Sequence, residues 1–382
     1  MKKKIFIIAF LITSVFQFLF LISLGFYDQN MWADQAKYVV IGDPKEFNAF
    51  QAYGHPGGTV IDGVVAVQKI TGLSYYTSIT IFLPIFNGLI AGLISVLCYL
   101  LSGEFLWSMA ILGTLAGDAL YESSTPPSAV AALLIVLLCL LTLYIYKKFD
   151  SQSEKEKTNF LFFWSLVSGM AVATRADIGI VSTFVFILLL KSKINWKQFL
   201  YSGLGAFLSF CVFDPFMWFM PVKHIGDLIG KVVYHYADFA PVHLNGFYVL
   251  SFSSLLVISV FLSIILIFMR QKISSVLPPI FTCALIIMTT FLYDIFLTAH
   301  YQAERYFMPI VFIWQVFLPI FIFTFVDHMN FDFLRNNEKE NKARFFVKIC
   351  VVVALIIYPV ASLSQSMYFD YIHNALPWQI PR

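Results

Sequence analysis

The sequence has few charged side chains and no polar stretch long enough to form a soluble domain. Asp, Glu, Lys and Arg make up 12% of its 382 residues, whereas a typical soluble domain carries about 25%. The polar interruptions between apolar runs are no longer than a few tens of residues. These shortages argue against a series of soluble domains and predict one membrane domain over residues 1–382.

Clustered cysteines and the common nucleotide and metal motifs are missing as well. Each of the five cysteines lies alone within an apolar run, so they predict neither a disulfide framework nor a zinc site. The sequence contains no P-loop, no GxGxxG and no HExxH. The net charge of +3 is too small to favour nucleic acid as a partner.

Long apolar runs are what the sequence has in abundance. A helix that spans a bilayer needs about 20 apolar residues, and runs of roughly that length recur along the chain. The long runs are 5–26, 78–101, 127–146, 198–219, 247–269, 278–298, 306–326 and 345–363, and shorter ones are 105–120, 160–174 and 178–190. Because none alternates with a period of two, the pattern predicts an all-α polytopic protein of about 11 transmembrane helices.

The basic residues predict the orientation of these helices. With the N-terminus in the cytoplasm, most of the 25 Lys and Arg residues lie on the inner side, as the positive-inside rule requires. They fall in the segments 2–4, 147–157, 191–197, 270–272 and 335–348. This pattern needs 160–174 and 178–190 to be two separate spans. We therefore predict a multi-pass protein of the plasma (inner) membrane.

Two outer loops are long and polar, and long loops are usually functional. The loop 27–77 is the first and the loop 220–246 is the second. In the second, Ile225, Leu228 and Ile229 are spaced as on one side of a helix. We interpret such stretches as amphipathic helices on the outer leaflet. The alternative is that they pack on the bundle without a role in substrate binding.

The first outer loop holds the strongest candidates for chemistry. Asp28 and Asp34 follow the first span, and a carboxylate beside aromatic residues at the membrane surface can serve as a base. Asp34 and Lys37 are three residues apart and so share a helix face. Further on, His55 opens the turn His-Pro-Gly-Gly, where glycine allows close backbone approach. The simpler interpretation is a capped interfacial helix followed by an ordinary turn.

Three further segments place polar groups near the outer surface. Arg175 and Asp177 lie between two short apolar runs, where they form either a mutual ion pair or an anion site. Asp214 precedes Pro215 at the end of a span, and we predict that it caps the following turn. The segment before the late span 306–326 contains His300, Glu304, Arg305 and Tyr306. Arg305 is suited there to bind a phosphate, and the alternatives are a salt bridge with Glu304 or contact with a lipid headgroup.

These elements together resemble the polyprenyl-phosphate-dependent glycosyltransferases of the GT-C superfamily, in particular the family 39-like branch of protein mannosyltransferases and aminoarabinose transferases. The resemblance extends in order and topology over most of the chain. Residues 34–38, Asp-Gln-Ala-Lys-Tyr, are similar to the family's acidic motif, which has Glu where this chain has Gln35. Residues 55–58 are similar to its His-Pro-Pro-Leu turn, with two glycines in place of Pro-Leu. Residues 305–309 are similar to its Arg-Tyr-x-x-Pro.

The resemblance implies a fold and a reaction. The fold is a GT-C-like bundle, and the reaction transfers a sugar from a polyprenyl-phosphate donor to a glycan, lipid or protein acceptor at the outer face, with inversion. It implies Asp34 as the base, with Asp28 second, and His55 in loop orientation or donor contact. The leaving phosphate needs nearby positive charge, from Arg175, Lys37 or Arg305, or a divalent metal ion.

Other functions are compatible with the same sequence. A transporter or lipid flippase for a cell-envelope precursor would need charged residues along a path through the bundle, whereas most charge lies at the surface. A non-catalytic assembly partner would keep its function without Asp28, Asp34 and His55. A membrane acyltransferase usually has a histidine buried in the bundle, and the sequence places none there.

Overall fold

The computed structural model describes residues 1–23, 29–41, 57–109, 126–234 and 340–353, with scattered positions between 278 and 338. Nearly all of these residues are helical, and no strand occurs among them. Two of the described helices, Tyr75–Ser102 and Pro127–Ser151, are long and apolar enough to cross a bilayer. The described part is therefore all-α, as predicted, and these two helices have the length and composition of membrane spans.

Local sequence sets where the helices begin and end. Ser153 starts one helix through a capping box with Glu156, and Asn195 starts another through a capping box with Gln198. Gly72 takes a left-handed conformation at a helix C-terminus. The helices, numbered in chain order, are α1 (Lys2–Ser23), α2 (Gln29–Ile41), α3 (Gly58–Thr71), α4 (Tyr75–Ser102), α5 (Pro126–Lys148), α6 (Glu154–Thr174), α7 (Ala176–Leu190), α8 (Trp196–Phe213), α9 (Phe216–Phe219) and α10 (Pro221–Tyr234).

Polar side chains pair within the apolar contact between α1 and α4, which run antiparallel. The Asn87 side-chain amide donates to Gln17 Oε1 at 3.0 Å, and Ser14 Oγ donates to the carbonyl oxygen of Pro84 at 2.9 Å. Gly88 permits the close approach, because a Cβ there would lie 2.1 Å from Ser14 Oγ. Buried polar groups that find partners in this way set the register of two otherwise apolar helices.

A central helix organises the rest of the described bundle. Nearly every side chain of α5 is buried, and Trp164 of α6 donates its indole N–H to Thr142 Oγ1 of α5 at 2.8 Å. Beside it, α6 and α8 run parallel and close together. Gly169 makes this contact possible, since a Cβ there would lie 2.5 Å from the carbonyl oxygen of Ala206.

Helices α6 and α7 form an antiparallel pair that reverses at Arg175. The hydroxyl oxygens of Ser168 and Thr183 are 2.6 Å apart across the pair, and Gly179 packs on the backbone of Val172. The segments 160–174 and 178–190 are therefore two helices and not one. This reversal is the one that the distribution of basic residues requires.

The two ends of the described bundle differ in charge. At the basic end, Lys147 Nζ lies 3.4 Å from the carbonyl oxygen of Leu101, and Lys193 pairs with Asp150 at 2.6 Å. Lys348 reaches the same end, where it pairs with Glu104 at 3.1 Å. The N-terminus of α3, the α6–α7 turn and the C-terminus of α8 meet at the opposite end.

Candidate functional site

The turn at Gly57 and Gly58 joins segments that are far apart in sequence. Gly57 has a φ of +66° and donates its N–H to the carbonyl oxygen of Thr174 at 3.2 Å. A Cβ on Gly58 would lie 2.3 Å from the carbonyl oxygen of Phe213 and 2.9 Å from Asp214 Cα. Only glycine leaves room for these contacts. The turn therefore allows α3 to pack against the ends of α6 and α8.

A buried carboxylate and imidazole lie beside this turn. Asp214 and His224 are both inaccessible to solvent, and His224 Nε2 lies 2.8 Å from Asp214 Oδ2. The other carboxylate oxygen, Oδ1, accepts the Phe216 N–H at 3.1 Å, which is the predicted capping role of Asp214. The pairing with His224 was not predicted from the sequence. It holds the start of α10 against the end of α8.

Arg175 and Asp177 form the mutual ion pair that the sequence suggests. The Arg175 guanidinium is fully buried, and its Nε donates to Asp177 Oδ1 at 3.2 Å while its Nη2 contacts Oδ2. Asp177 is partly exposed. The pair lies directly after Thr174, the residue that accepts the Gly57 N–H. A guanidinium charge is therefore held at the same end of the bundle as the Asp214–His224 pair.

The Asp214–His224 and Arg175–Asp177 pairs, together with Asp62, are called here the cluster, and Asp62 is a member that was not predicted from the sequence. It lies in the second turn of α3, and burial, followed by the charge of Asp214, raises its pKa to about 8. At neutral pH this carboxyl is consequently mostly protonated. The available signal was a lone acidic residue within the apolar run Val-Ile-Asp-Gly-Val-Val.

Because of Asp62, the free energy of unfolding should decrease as the pH rises from about 4 to about 8. In the unfolded chain this carboxyl loses its proton near its ordinary pKa of 3.8, whereas in the fold the pKa is about 8. The folded state binds the extra proton in this window, so rising pH favours unfolding. Asp62→Asn, which has no proton to lose, should flatten the decline in chemical denaturation in detergent. Equal pH slopes for the two chains would contradict this assignment.

Helix α2, in the first outer loop, has a buried side and an exposed side. Trp32 and Gln35 of α2 are buried, and the Trp32 ring packs against Gly57, where a Cβ would lie 2.2 Å from the ring. Asp34 and Lys37 share the exposed face of α2, as their spacing predicts. The candidate base is thus accessible on a helix that packs on the Gly57 turn.

The remaining predicted site residues lie outside the described residues. These are Asp28, His55, His300, Glu304, Arg305 and Tyr306. Within the described ranges, no three His, Cys, Asp or Glu side chains are grouped so as to hold a metal ion. The predicted residues that the structure brings to one end are Arg175 and Asp177, together with the α2 helix that carries Asp34 and Lys37.

Comparison with known proteins gives no relative. No family model matches the chain, and no curated protein or solved structure matches it either.

Proposed function

We propose that this chain is a membrane glycosyltransferase that moves a sugar from a polyprenyl-phosphate donor to an acceptor at the non-cytoplasmic face. The supporting observation is the meeting of three distant segments, at Gly57, Thr174 and Asp214. Together they carry carboxyl groups, an imidazole and a guanidinium to the end of the bundle opposite the basic end. With the basic end in the cytoplasm, this end faces outwards.

The membrane arrangement in this proposal is a GT-C-like bundle of about eleven transmembrane helices with a cytoplasmic N-terminus. Its support is the separation of charge between the two ends of the described helices and the two helices of spanning length. A donor with a long lipid chain remains in the bilayer while its sugar phosphate enters the outer end. A lipid-linked substrate therefore suits a site at the rim of such a bundle.

The reaction is a single displacement at C1 of the sugar. The acceptor hydroxyl oxygen forms a bond to C1 as the bond from C1 to the phosphate oxygen breaks, and the lipid phosphate leaves with the electron pair. A carboxylate takes the proton of the hydroxyl, and Asp34 suits this role because it is exposed on α2. Asp28 is the second candidate. A single displacement inverts the anomeric configuration.

The departing phosphate requires compensating positive charge and few competing negative charges. Lys37 on the exposed face of α2 is the accessible cation, whereas the Arg175 guanidinium is buried and its charge is balanced by Asp177. Arg305 is a further candidate. Asp62 adds little negative charge at neutral pH, because its pKa is about 8. The cluster is thus less anionic than its count of carboxyl groups suggests.

Replacing Asp34 by asparagine should reduce sugar transfer by about 100-fold or more, since general-base catalysis contributes roughly 10²–10⁴-fold. The assay measures release of polyprenyl phosphate from synthetic polyprenyl-phosphate mannose and aminoarabinose in membranes that contain the chain. Asp150→Asn is the matched control, because Asp150 is an exposed carboxylate at the basic end. It should leave the rate unchanged.

Two results would contradict the proposal. Wild-type turnover in Asp34→Asn would remove this residue from the role of base. Movement of intact labelled donor across vesicles, with no release of polyprenyl phosphate by the wild-type chain, would favour a transporter or flippase.

A further inference from the structure

At its start, helix α10 turns a polar side towards the bundle and an apolar side outwards. Successive residues of a helix are rotated by about 100°, which puts Val222 and Ile225 on one side and His224 and Asp227 on the other. His224 is fully buried against the bundle, whereas Val222 is 86% exposed. In water, an amphipathic helix buries its apolar side. Over residues 221–228, whose burial the structure describes, the packed side is the one that carries His224, and Asp227 and Leu228 are half-buried.

The buried Asp214–His224 pair accounts for this orientation. The pair joins the residue after α8 to the first turn of α10 at 2.8 Å, and the His224 ring packs on Phe216 with centroids 5.3 Å apart. The carboxylate is held in turn by the Phe216 N–H. Rotating α10 to bury its apolar side would separate two buried polar groups, which is costly.

The outward apolar side continues an exposed apolar surface of α8. Trp218, Phe219, Val222 and Ile225, called here the apolar face, are all exposed. The Trp218 indole N–H donates to the carbonyl oxygen of Cys211 at 2.7 Å, which holds this ring beside the end of α8. Seven hydrophobic side chains of α8 are more than half exposed, and they are Trp196, Leu200, Tyr201, Leu204, Phe207, Leu208 and Val212.

A phospholipid bilayer fits this combined surface. A membrane helix turns its apolar side chains to hydrocarbon, and tryptophan is enriched where hydrocarbon meets headgroups. Exposed Lys223 borders the apolar face, at a position where a cation meets lipid phosphates.

We propose that α10 is a bilayer-surface helix, held to the bundle by its polar side through the Asp214–His224 pair, with its apolar face inserted among phospholipids. The same buried pair lies against the Gly57–Gly58 turn. Contact with the lipid surface is thereby linked to the geometry of the cluster. The inference does not depend on sugar transfer, because it concerns only where α10 lies.

Fluorescence quenching tests this position in the full chain. Val222→Cys, Ile225→Cys and Lys223→Cys are each labelled with an environment-sensitive fluorophore, after serine replaces Cys211, Cys283 and Cys350 and the buried Cys98 and Cys139 are kept. The chains are reconstituted in vesicles of phosphatidylcholine and phosphatidylglycerol. A lipid-borne quencher should act on positions 222 and 225 several-fold more strongly than aqueous iodide does. Lys223→Cys is the matched control and should show the reverse preference.

Two other outcomes are possible, and either would overturn the proposal. Equal access of iodide to all three positions would place α10 in water. Protection of positions 222 and 225 from both quenchers would place them under protein, either a second copy or another segment of this chain.

The role of the buried pair is tested in the same labelled chains. Adding His224→Ala should abolish the difference between positions 222 and 223, whereas His224→Gln, which keeps an N–H donor, should retain it. If the difference survives His224→Ala unchanged, the pair does not hold the helix. Should His224→Ala fail to insert, Asp214→Asn is the second variant, with the same expected loss.

Discussion

Replacing His224 by alanine should lower the free energy of unfolding by about 3–5 kcal/mol, the usual cost of removing one partner of a buried pair. The loss leaves the Asp214 carboxyl without its partner at Oδ2 in a place that water does not reach. It also removes the ring that packs on Phe216. Chemical denaturation of the purified chain in detergent measures the change.

An exposed ion pair provides the matched control for this prediction. Lys193 and Asp150 are 2.6 Å apart, but the Asp150 side chain is 72% exposed. Lys193→Ala should therefore cost no more than about 1 kcal/mol, as is usual for exposed pairs. Similar small costs for the two variants would show that the Asp214–His224 pair is not buried as described.

Replacing Gly58 by alanine should cost about 1–3 kcal/mol or more, because the added methyl group overlaps backbone atoms. Its Cβ would lie 2.3 Å from the carbonyl oxygen of Phe213, 2.9 Å from Asp214 Cα and 3.1 Å from the carbonyl oxygen of Ala173. No side-chain rotation relieves such contacts, so α3 must move away from the ends of α6 and α8. Under the proposed function, sugar transfer should fall in the same variant, because the three segments no longer meet.

Gly226→Ala is the control for the same chemical change elsewhere. A Cβ on Gly226 would meet nothing within 4 Å, and the residue lies inside α10. Alanine there should stabilise the helix by roughly 0.5–1 kcal/mol, since glycine has the larger conformational entropy to lose. Denaturation of the two variants side by side separates the steric effect from helix propensity. Unchanged stability in Gly58→Ala would mean that the three segments do not approach as closely as described.

Much of the described fold was predictable because its signals are local. A continuous apolar run of about 20 residues can bury its backbone polar groups in lipid only as a helix, and α4 and α5 follow such runs. Capping residues such as Ser153 and Asn195 mark where helices begin. The distribution of lysines also predicted the reversal between α6 and α7, since one long helix would have moved the later basic segments to the other side.

The candidate site was predictable only in part, because its geometry depends on contacts between distant residues. The sequence singled out Arg175, Asp177 and the Gly57–Gly58 turn as separate features. It did not identify Asp62 as a site residue, and it assigned Asp214 a cap without the partner His224. The charge of Asp214 contributes to the raised pKa of Asp62 although 152 positions separate the two residues.

The sequence by itself determined the helical class, the ends of several helices and the separation of basic residues from the other polar segments. These follow from the length of apolar runs, from capping side chains and from the cost of moving charge across a bilayer. Only the tertiary structure decided which face of α2 and which face of the first turns of α10 are turned inwards, and that Asp62 lies near Asp214. Successive side chains on a helix point about 100° apart, which fixes their directions relative to one another. Which of them face inwards depends on what the helix packs against.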